Sequence, residues 1–486
     1  MTPLAPQLRI SPVAAFAAFA LAAAAVAAIV LGEPYLAMIV SPRAWQRLHL
    51  LNFPMKGVLL AVAVVAALSL AVYLAHRAPD ARTLIVVLMA IGMQTTAIKL
   101  VGVNLITVLP FVAILFVVAE SLLRPSTPVP LTSVVFFGLA LLLLDLPYVA
   151  NPNIYGPARF VINFASGVKA IAVAIAMVLV VTREEHLRSA LRAMVVVGIL
   201  AALVGVVQIA LHKFAGITFS LVAEEHQTKA TFFGMTLRAS GLTTWSQHLA
   251  DYLVLVVPFA LFQLADAPTS RKRLAWLAAL VTMVAAVVFT FTYAGYFALA
   301  AIFLMFPFAR WPSRSLHFAL AIVGALALAY LVGGFDWAMD KYAKYVATST
   351  GMVERRVYLN STLGELARDP WTGSGFYAEE EFSGNFYRKR VHNTPLQAWA
   401  DLGLAGLLVF MAMIATLYTQ LWLAVAGARD TAWRQRLQAL ALGMTGTIIA
   451  MMAEPNLTAP HTWFMLGLVA AAVRLWSVRT QEAPAP

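Results

Sequence analysis

The sequence contains no cysteine. That excludes disulfides, thiolate nucleophiles and Cys-ligated metal sites together. Charge is also scarce: 12% of the 486 residues are Asp, Glu, Lys or Arg, and 62% are hydrophobic. Soluble domains carry about a quarter charged residues, so no soluble domain large enough to stand alone is expected. The nine histidines never occur as His-x-x-x-His or His-Glu-x-x-His, so no metal site is expected. A basic, aromatic-interleaved soluble face is missing too, which removes nucleic acid as a partner. There is no repeat of fixed period.

What the chain has is apolar length. Mean hydropathy is +0.82. A membrane span needs about 20 apolar residues. Such runs fall near 12–31, 55–75, 83–99, 103–122, 131–150, 160–181, 193–211, 248–264, 275–292, 294–309, 316–335, 396–424, 437–453 and 462–478. They predict an all-α, polytopic transmembrane helical bundle of about 12–14 spans, since the runs 83–122 and 275–309 leave almost no loop between their halves. A β-barrel would show short alternating segments instead. The run at 12–31 is long for a signal core and has Glu33, Pro34 and Arg43 beyond it, so it reads as a first span.

The net charge of +12 follows from this topology. Basic residues cluster in short loops: Arg77 and Arg82, Arg183 to Arg192, Arg271 to Arg273, Arg310 to Arg314, Arg429 to Arg436, and Arg474 with Arg479. All fall on one side of the bundle, as the positive-inside rule requires of a cytoplasmic face. The expected organisation is spans over 1–211, an outer loop at 212–247, spans over 248–335, a large outer loop at 336–394, and spans with a short cytoplasmic tail over 395–486. The large loop is near neutral, with eight acidic and eight basic residues, and is rich in aromatics.

Chemistry-bearing residues gather in those outer loops. Glu354-Arg355-Arg356 opens a helix that runs toward Arg368 and stops at Asp369-Pro370. Trp371-Thr372-Gly373-Ser374-Gly375 then turns the chain tightly. His392 precedes a helix beginning near Pro395, a residue suited to the first helical turn. Small residues Gly403, Ala405 and Gly406 in that helix permit close helix contact. In the earlier loop, Arg238 precedes a Ser240-Gly241 turn, with Thr and Ser placed to cap the next helix. Paired arginines suit a bidentate phosphate grip, and histidine titrates near neutrality and can move a proton. Lys169, about two turns into a span, could meet an anionic headgroup or snorkel to the interface. Asp251 could favour a helix N-terminus.

Arg355 with its helix to Asp369-Pro370, Trp371-Thr372-Gly373-Ser374-Gly375, and His392-Asn393-x-x-Leu396-Gln397 followed by Leu402-Gly403-x-x-Gly406 together resemble the O-antigen ligase and O-antigen polymerase superfamily of bacterial envelopes. The Arg238 to Ala250 stretch is similar to that family's earlier Arg-x-x-Gly segment, and the resemblance spans roughly 236–475. It implies an inner-membrane glycosyltransferase working on the periplasmic face. The implied donor is a glycan on undecaprenyl pyrophosphate. The implied acceptor is lipid A–core in a ligase, or another lipid-linked glycan in a polymerase. No cofactor and no metal are implied. His392 would be the base on the acceptor hydroxyl, and Arg355 and Arg238 would hold the pyrophosphate. One position departs from the family: the tight outer turn reads Tyr293-Ala294-Gly295 where the family often has Ser-Arg-Gly. Lys99, Lys169 and Arg356 are candidates to supply that charge, so Arg356 and Lys169 join the expected pyrophosphate-binding set.

A polymerase is the alternative within the superfamily, and a lipid-linked oligosaccharide flippase is the alternative outside it. Transporters show matched halves and broken helices at mid-membrane. Here no matched halves are found, and the polar weight lies in the outer loops.

Overall fold

The computed structural model describes residues 81–95, 99–100, 103–123, 132–150, 156–217, 228–231, 234–331, 336, 340, 350–377 and 390–482. These residues form an all-α, polytopic bundle. Its helices are α1 (Ala81–Gln94), α2 (Leu105–Leu123), α3 (Ser133–Asp145), α4 (Gly156–Val180), α5 (Glu184–Ala210), α6 (Ser246–Ala265), α7 (Ser270–Phe289), α8 (Tyr293–Arg310), α9 (Ser315–Leu331), α10 (Thr350–Arg368), α11 (Thr394–Gly427), α12 (Thr431–Met451) and α13 (Pro460–Glu482). Among the described residues, seven helical stretches, in α4 to α8, α11 and α13, are long and apolar enough to cross a membrane by length and composition. Shorter apolar helices cover Ala81–Gln94, Ile106–Leu122 and Ser133–Val149. Each expected span from 83 onward falls on one helix, and the expected spans 12–31 and 55–75 lie outside the described residues.

Hydropathy predicts no strand, yet two short antiparallel hairpins are present. β1 (Lys99–Leu100) pairs with β2 (Val103–Asn104), and β3 (Thr228–Thr231) with β4 (Gly234–Leu237). Segments of two to four residues are too short to register in a hydropathy window.

In a bundle this apolar, close helix contact rests on small residues. A Cβ on Gly467 of α13 would lie 2.7 Å from the Ala174 backbone of α4, so the two helices touch there. At the basic end, cations hold the last carbonyls of α4, where helices favour positive charge. Arg82 of α1 donates to Leu179 O at 2.7 Å and pairs with Glu120 of α2. Arg474 of α13 donates to Val178 O at 3.0 Å and to Val181 O at 2.6 Å. Glu120 is thus a structural partner of Arg82.

At the opposite end lies the expected large outer loop. Its residues 378–389 are outside the described set. α10 buries Tyr358, Thr362 and Leu366, one per turn, and leaves Val353, Leu359 and Leu363 exposed. Asp369 then stops the helix. Its carboxylate accepts the Trp371 and Thr372 amides at 3.1 Å each and the Thr372 hydroxyl. Those hydrogen bonds, the Thr372 hydroxyl first, hold the exposed Asp369 carboxyl below its ordinary range.

The segment after Asp369 docks into a break in α11. Gly403 sits at φ 70°, ψ −174°, which interrupts that helix. The break frees the Asp401 carbonyl to accept the Gly375 amide at 2.7 Å, and Ala400 O accepts Ser374 N at 3.1 Å. On its other side the segment meets the end of α3 and the 3-10 turn Leu146–Ala150 after it: Gly373 N donates to the Tyr148 hydroxyl at 2.8 Å, and Phe376 N to Asp145 Oδ1 at 2.9 Å. Gly403 is therefore a helix break receiving a loop, where small-residue spacing predicts helix-on-helix contact.

Candidate functional site

The site is built from loops that meet at the end of the bundle opposite Arg82. Asn393 caps α11, its side chain accepting Leu396 N at 2.9 Å, and Pro395 occupies the first turn as expected. This cap fixes His392 one residue outside the helix. His392 Nδ1 lies 3.1 Å from Arg390 O, and a carbonyl accepts only, so that nitrogen carries the proton. Nε2 lies on the side of Glu454, 3.8 Å from its Oε2. The Tyr358 ring stacks on the imidazole at 5.2 Å between centroids and 21° between planes. Burial pushes the Tyr358 phenol above its ordinary value, so the ring stacks as a neutral group.

Glu454 organises the surroundings. Its carboxylate is nearly fully buried, 3.4 Å from Arg355 Nη2, 3.4 Å from Gln247 Nε2 and 3.8 Å from His392 Nε2. The backbone at this point is pinned as well: Thr394 Oγ1 donates to Glu454 O at 2.7 Å and accepts Asn456 N at 2.8 Å. Arg238 lies within the field of both Glu454 and Arg355. Burial lowers the Arg238 guanidinium from its ordinary value, and the Glu454 carboxylate opposes that shift. Arg238 is anchored on a neighbouring turn. Its Nε donates to Thr290 O at 2.7 Å and its Nη2 to Thr292 Oγ1 at 3.0 Å, so it braces the α7–α8 turn. Tyr293-Ala294-Gly295 opens α8 directly after this turn instead of forming it as expected, and a guanidinium reaches the turn from another loop. Thr and Ser side chains do not cap α6: the N-cap is Trp245, with no side-chain bond, and Thr243 Oγ1 donates to Ser240 O and Trp245 O at 2.7 Å each.

The structure therefore brings Arg238, Arg355 and His392 together around Glu454. Arg356 is exposed, one step around α10 from Arg355 and off the face that buries Tyr358. Lys169 lies within electrostatic reach of His248. Sequence reading passes over Glu454 and Gln247. The signal for Glu454 is an acidic residue at the end of an apolar run on the same side as two arginines, where an unpaired charge is costly. Asp251 is a second revision: it sits 3.1 Å from His461 Nε2 and 3.2 Å from Asn456 Nδ2, and acts as their partner rather than as a helix-start charge. Among the described residues no cluster of His, Asp and Glu is arranged to hold a metal.

Two guanidiniums, a histidine and a buried carboxylate can together hold a polyanion and take up a proton beside it. Residues 278–411 match the family described as O-antigen ligase. The match supports the O-antigen ligase superfamily for this chain. That superfamily consists of glycosyltransferase-like ligases and polymerases. The O-antigen ligase match includes Arg355, the docked segment at 371–377, His392 and Gly403, and it stops short of Glu454. No curated protein matches the chain.

Proposed function

We propose that the chain is an O-antigen ligase that transfers a glycan from undecaprenyl pyrophosphate to lipid A–core on the periplasmic face of the inner membrane. The observation that carries this reading is the convergence of Arg238, Arg355 and His392 on Glu454 at one end of the bundle. The acceptor hydroxyl attacks the anomeric carbon, and the bond from that carbon to the phosphate oxygen breaks. The pair of electrons leaves with undecaprenyl pyrophosphate. In-line attack inverts the anomeric configuration. The hydroxyl proton passes to His392 Nε2, and the Glu454 carboxylate favours the imidazolium so formed. Arg355 and Arg238 meet the negative charge that grows on the leaving oxygen, where fixed cations act more strongly on the transition state than on the ground state. Glu454 also keeps the two guanidiniums from repelling each other before the donor arrives.

The test is in vitro transfer with purified protein, undecaprenyl-pyrophosphate glycan, lipid A–core and EDTA, read on a gel. A glycan ladder on lipid A–core is the expected product. Arg355→Ala is expected to lower the rate by about 10²–10³, the usual cost of removing one donor to developing charge. Longer lipid-linked glycan with nothing on lipid A–core would replace the ligase with a polymerase. Transbilayer movement without either product would replace it with a transporter.

A further inference from the structure

The proposed reaction uses two groups that the chain supplies from segments 62 residues apart. His392 stands just before the Asn393 cap of α11, and Glu454 lies in the turn after α12. Their side chains are 3.8 Å apart, Nε2 to Oε2. Arg355 Nη2 and Gln247 Nε2 approach the same carboxylate at 3.4 Å each. All three distances are long against the about 2.7–3.2 Å of a good N–H to O hydrogen bond. The carboxylate therefore takes its place mainly from its own backbone.

Thr394 fixes that backbone. It is the first residue of α11 and is wholly buried. A carbonyl only accepts and an amide N–H only donates. The Thr394 hydroxyl proton thus goes to Glu454 O at 2.7 Å, and its oxygen accepts Asn456 N at 2.8 Å. Asn456 N also reaches Glu454 O, at 3.1 Å, which closes a three-atom knot. On its far side Asn456 Nδ2 donates to Asp251 Oδ2 of α6 at 3.2 Å. The neighbouring ties between α11 and this turn are weaker. Asn393 Nδ2 donates to Met452 O at 3.1 Å in an exposed position, where water competes, and Leu457 N to Gln397 Oε1 at 3.4 Å.

We infer that Thr394 is a positioning residue for transfer: its hydroxyl holds the Glu454 turn on the start of α11 and so keeps the Glu454 carboxylate facing His392 Nε2. The inference rests on the transfer reading above. In that reading Arg355 turns to the donor phosphate, so its own hold on Glu454 slackens as the imidazolium forms, and the Thr394 tie does not.

The test compares Thr394→Val and Thr394→Ser by kcat at saturating donor and acceptor in the transfer assay. Valine keeps the shape and removes the hydroxyl, whereas serine keeps the hydroxyl. Thr394→Val is expected to lower kcat about tenfold, within the about 10²-fold that a misplacement of about 1 Å can cost. Thr394→Ser is expected to restore most of the rate. The deciding measurement is a double-mutant cycle with Glu454→Gln. Because Thr394 acts through the carboxylate, Thr394→Val is expected to cost less than about twofold once Glu454 is replaced. The same loss in both backgrounds, a serine variant as slow as the valine one, or a valine variant as fast as wild type would overturn the positioning role and leave the transfer reading standing. Should Thr394→Val not be recovered folded, Thr394→Ala against Thr394→Ser makes the same comparison. Absence of any transfer product with wild type would overturn the transfer reading and the positioning role with it.

Discussion

Purified His392→Ala protein is expected to insert normally, bind donor, and transfer glycan about 10²–10⁴ times more slowly than wild type, the usual contribution of a positioned base. The reason is the arrangement of its two nitrogens. Nδ1 is committed to Arg390 O at 3.1 Å, so in the proposed reaction Nε2 takes the proton. Alanine removes that group while Arg238 and Arg355 are expected to stay in place beside Glu454. His392→Gln is the sharper variant, because it keeps a polar side chain beside Tyr358 and Glu454 yet takes up no proton. Both variants are expected to show the same loss in initial rate, measured at matched protein and saturating donor. Rates within a few-fold of wild type for either one would remove His392 from the reaction.

Gly403→Ala is expected to abolish transfer by a different route. At φ 70°, ψ −174° this residue occupies backbone space that is essentially reserved for glycine, and the strain for another residue is of order 1–3 kcal/mol. An added Cβ would also fall on Trp371 O, a backbone atom with no rotamer to change. The alanine variant therefore either heals α11 into a continuous helix or expels the docked segment. In both cases the Gly375 and Ser374 amides lose the Asp401 and Ala400 carbonyls. The segment 371–377 is then no longer anchored on α11. Gly373→Ala meets the same obstacle from the other side, since its Cβ would lie 2.4 Å from Gly403 N. Limited proteolysis between 371 and 390, together with the transfer assay, separates this loss of seating from loss of chemistry. Unchanged cleavage and full activity in Gly403→Ala would contradict the docked arrangement.

The helices were legible because apolar length is a one-dimensional property. Each run from 83 to 478 needed only its own residues to be recognised, and the one-sided basic loops supplied the direction. His392 and Arg355 were legible because their local settings carry signals: Asn393-Thr394-Pro395 marks a helix start, and Asp369-Pro370 marks a stop. Lys169 and Arg356 were named on charge type alone. Helix phase decides such residues, and it turns Arg356 outward on α10. Glu454 and the Asp251–His461 pair were illegible for the opposite reason. Their partners lie 62 to 210 positions away in sequence, and only the packed bundle brings them within hydrogen-bonding range. The break at Gly403 belongs to the same class, since two glycine-bearing segments some thirty residues apart each supply half of it.

The seat of the docked segment has a consequence for hydrogen exchange. Ser374 and Gly375 belong to a coil between helices, where amides ordinarily exchange with solvent quickly. Their N–H groups nonetheless bond to carbonyls that a continuous α11 would have kept for itself. Loss of deuterium protection at these two amides should therefore track opening of the α11 break rather than general loop motion. The Ser374 and Gly375 amides are expected to exchange as slowly as the start of α11, while the Trp371 amide, bonded to the exposed Asp369 carboxylate, exchanges faster. Two clocks within seven residues would mark the segment as part of the bundle's backbone in all but sequence position.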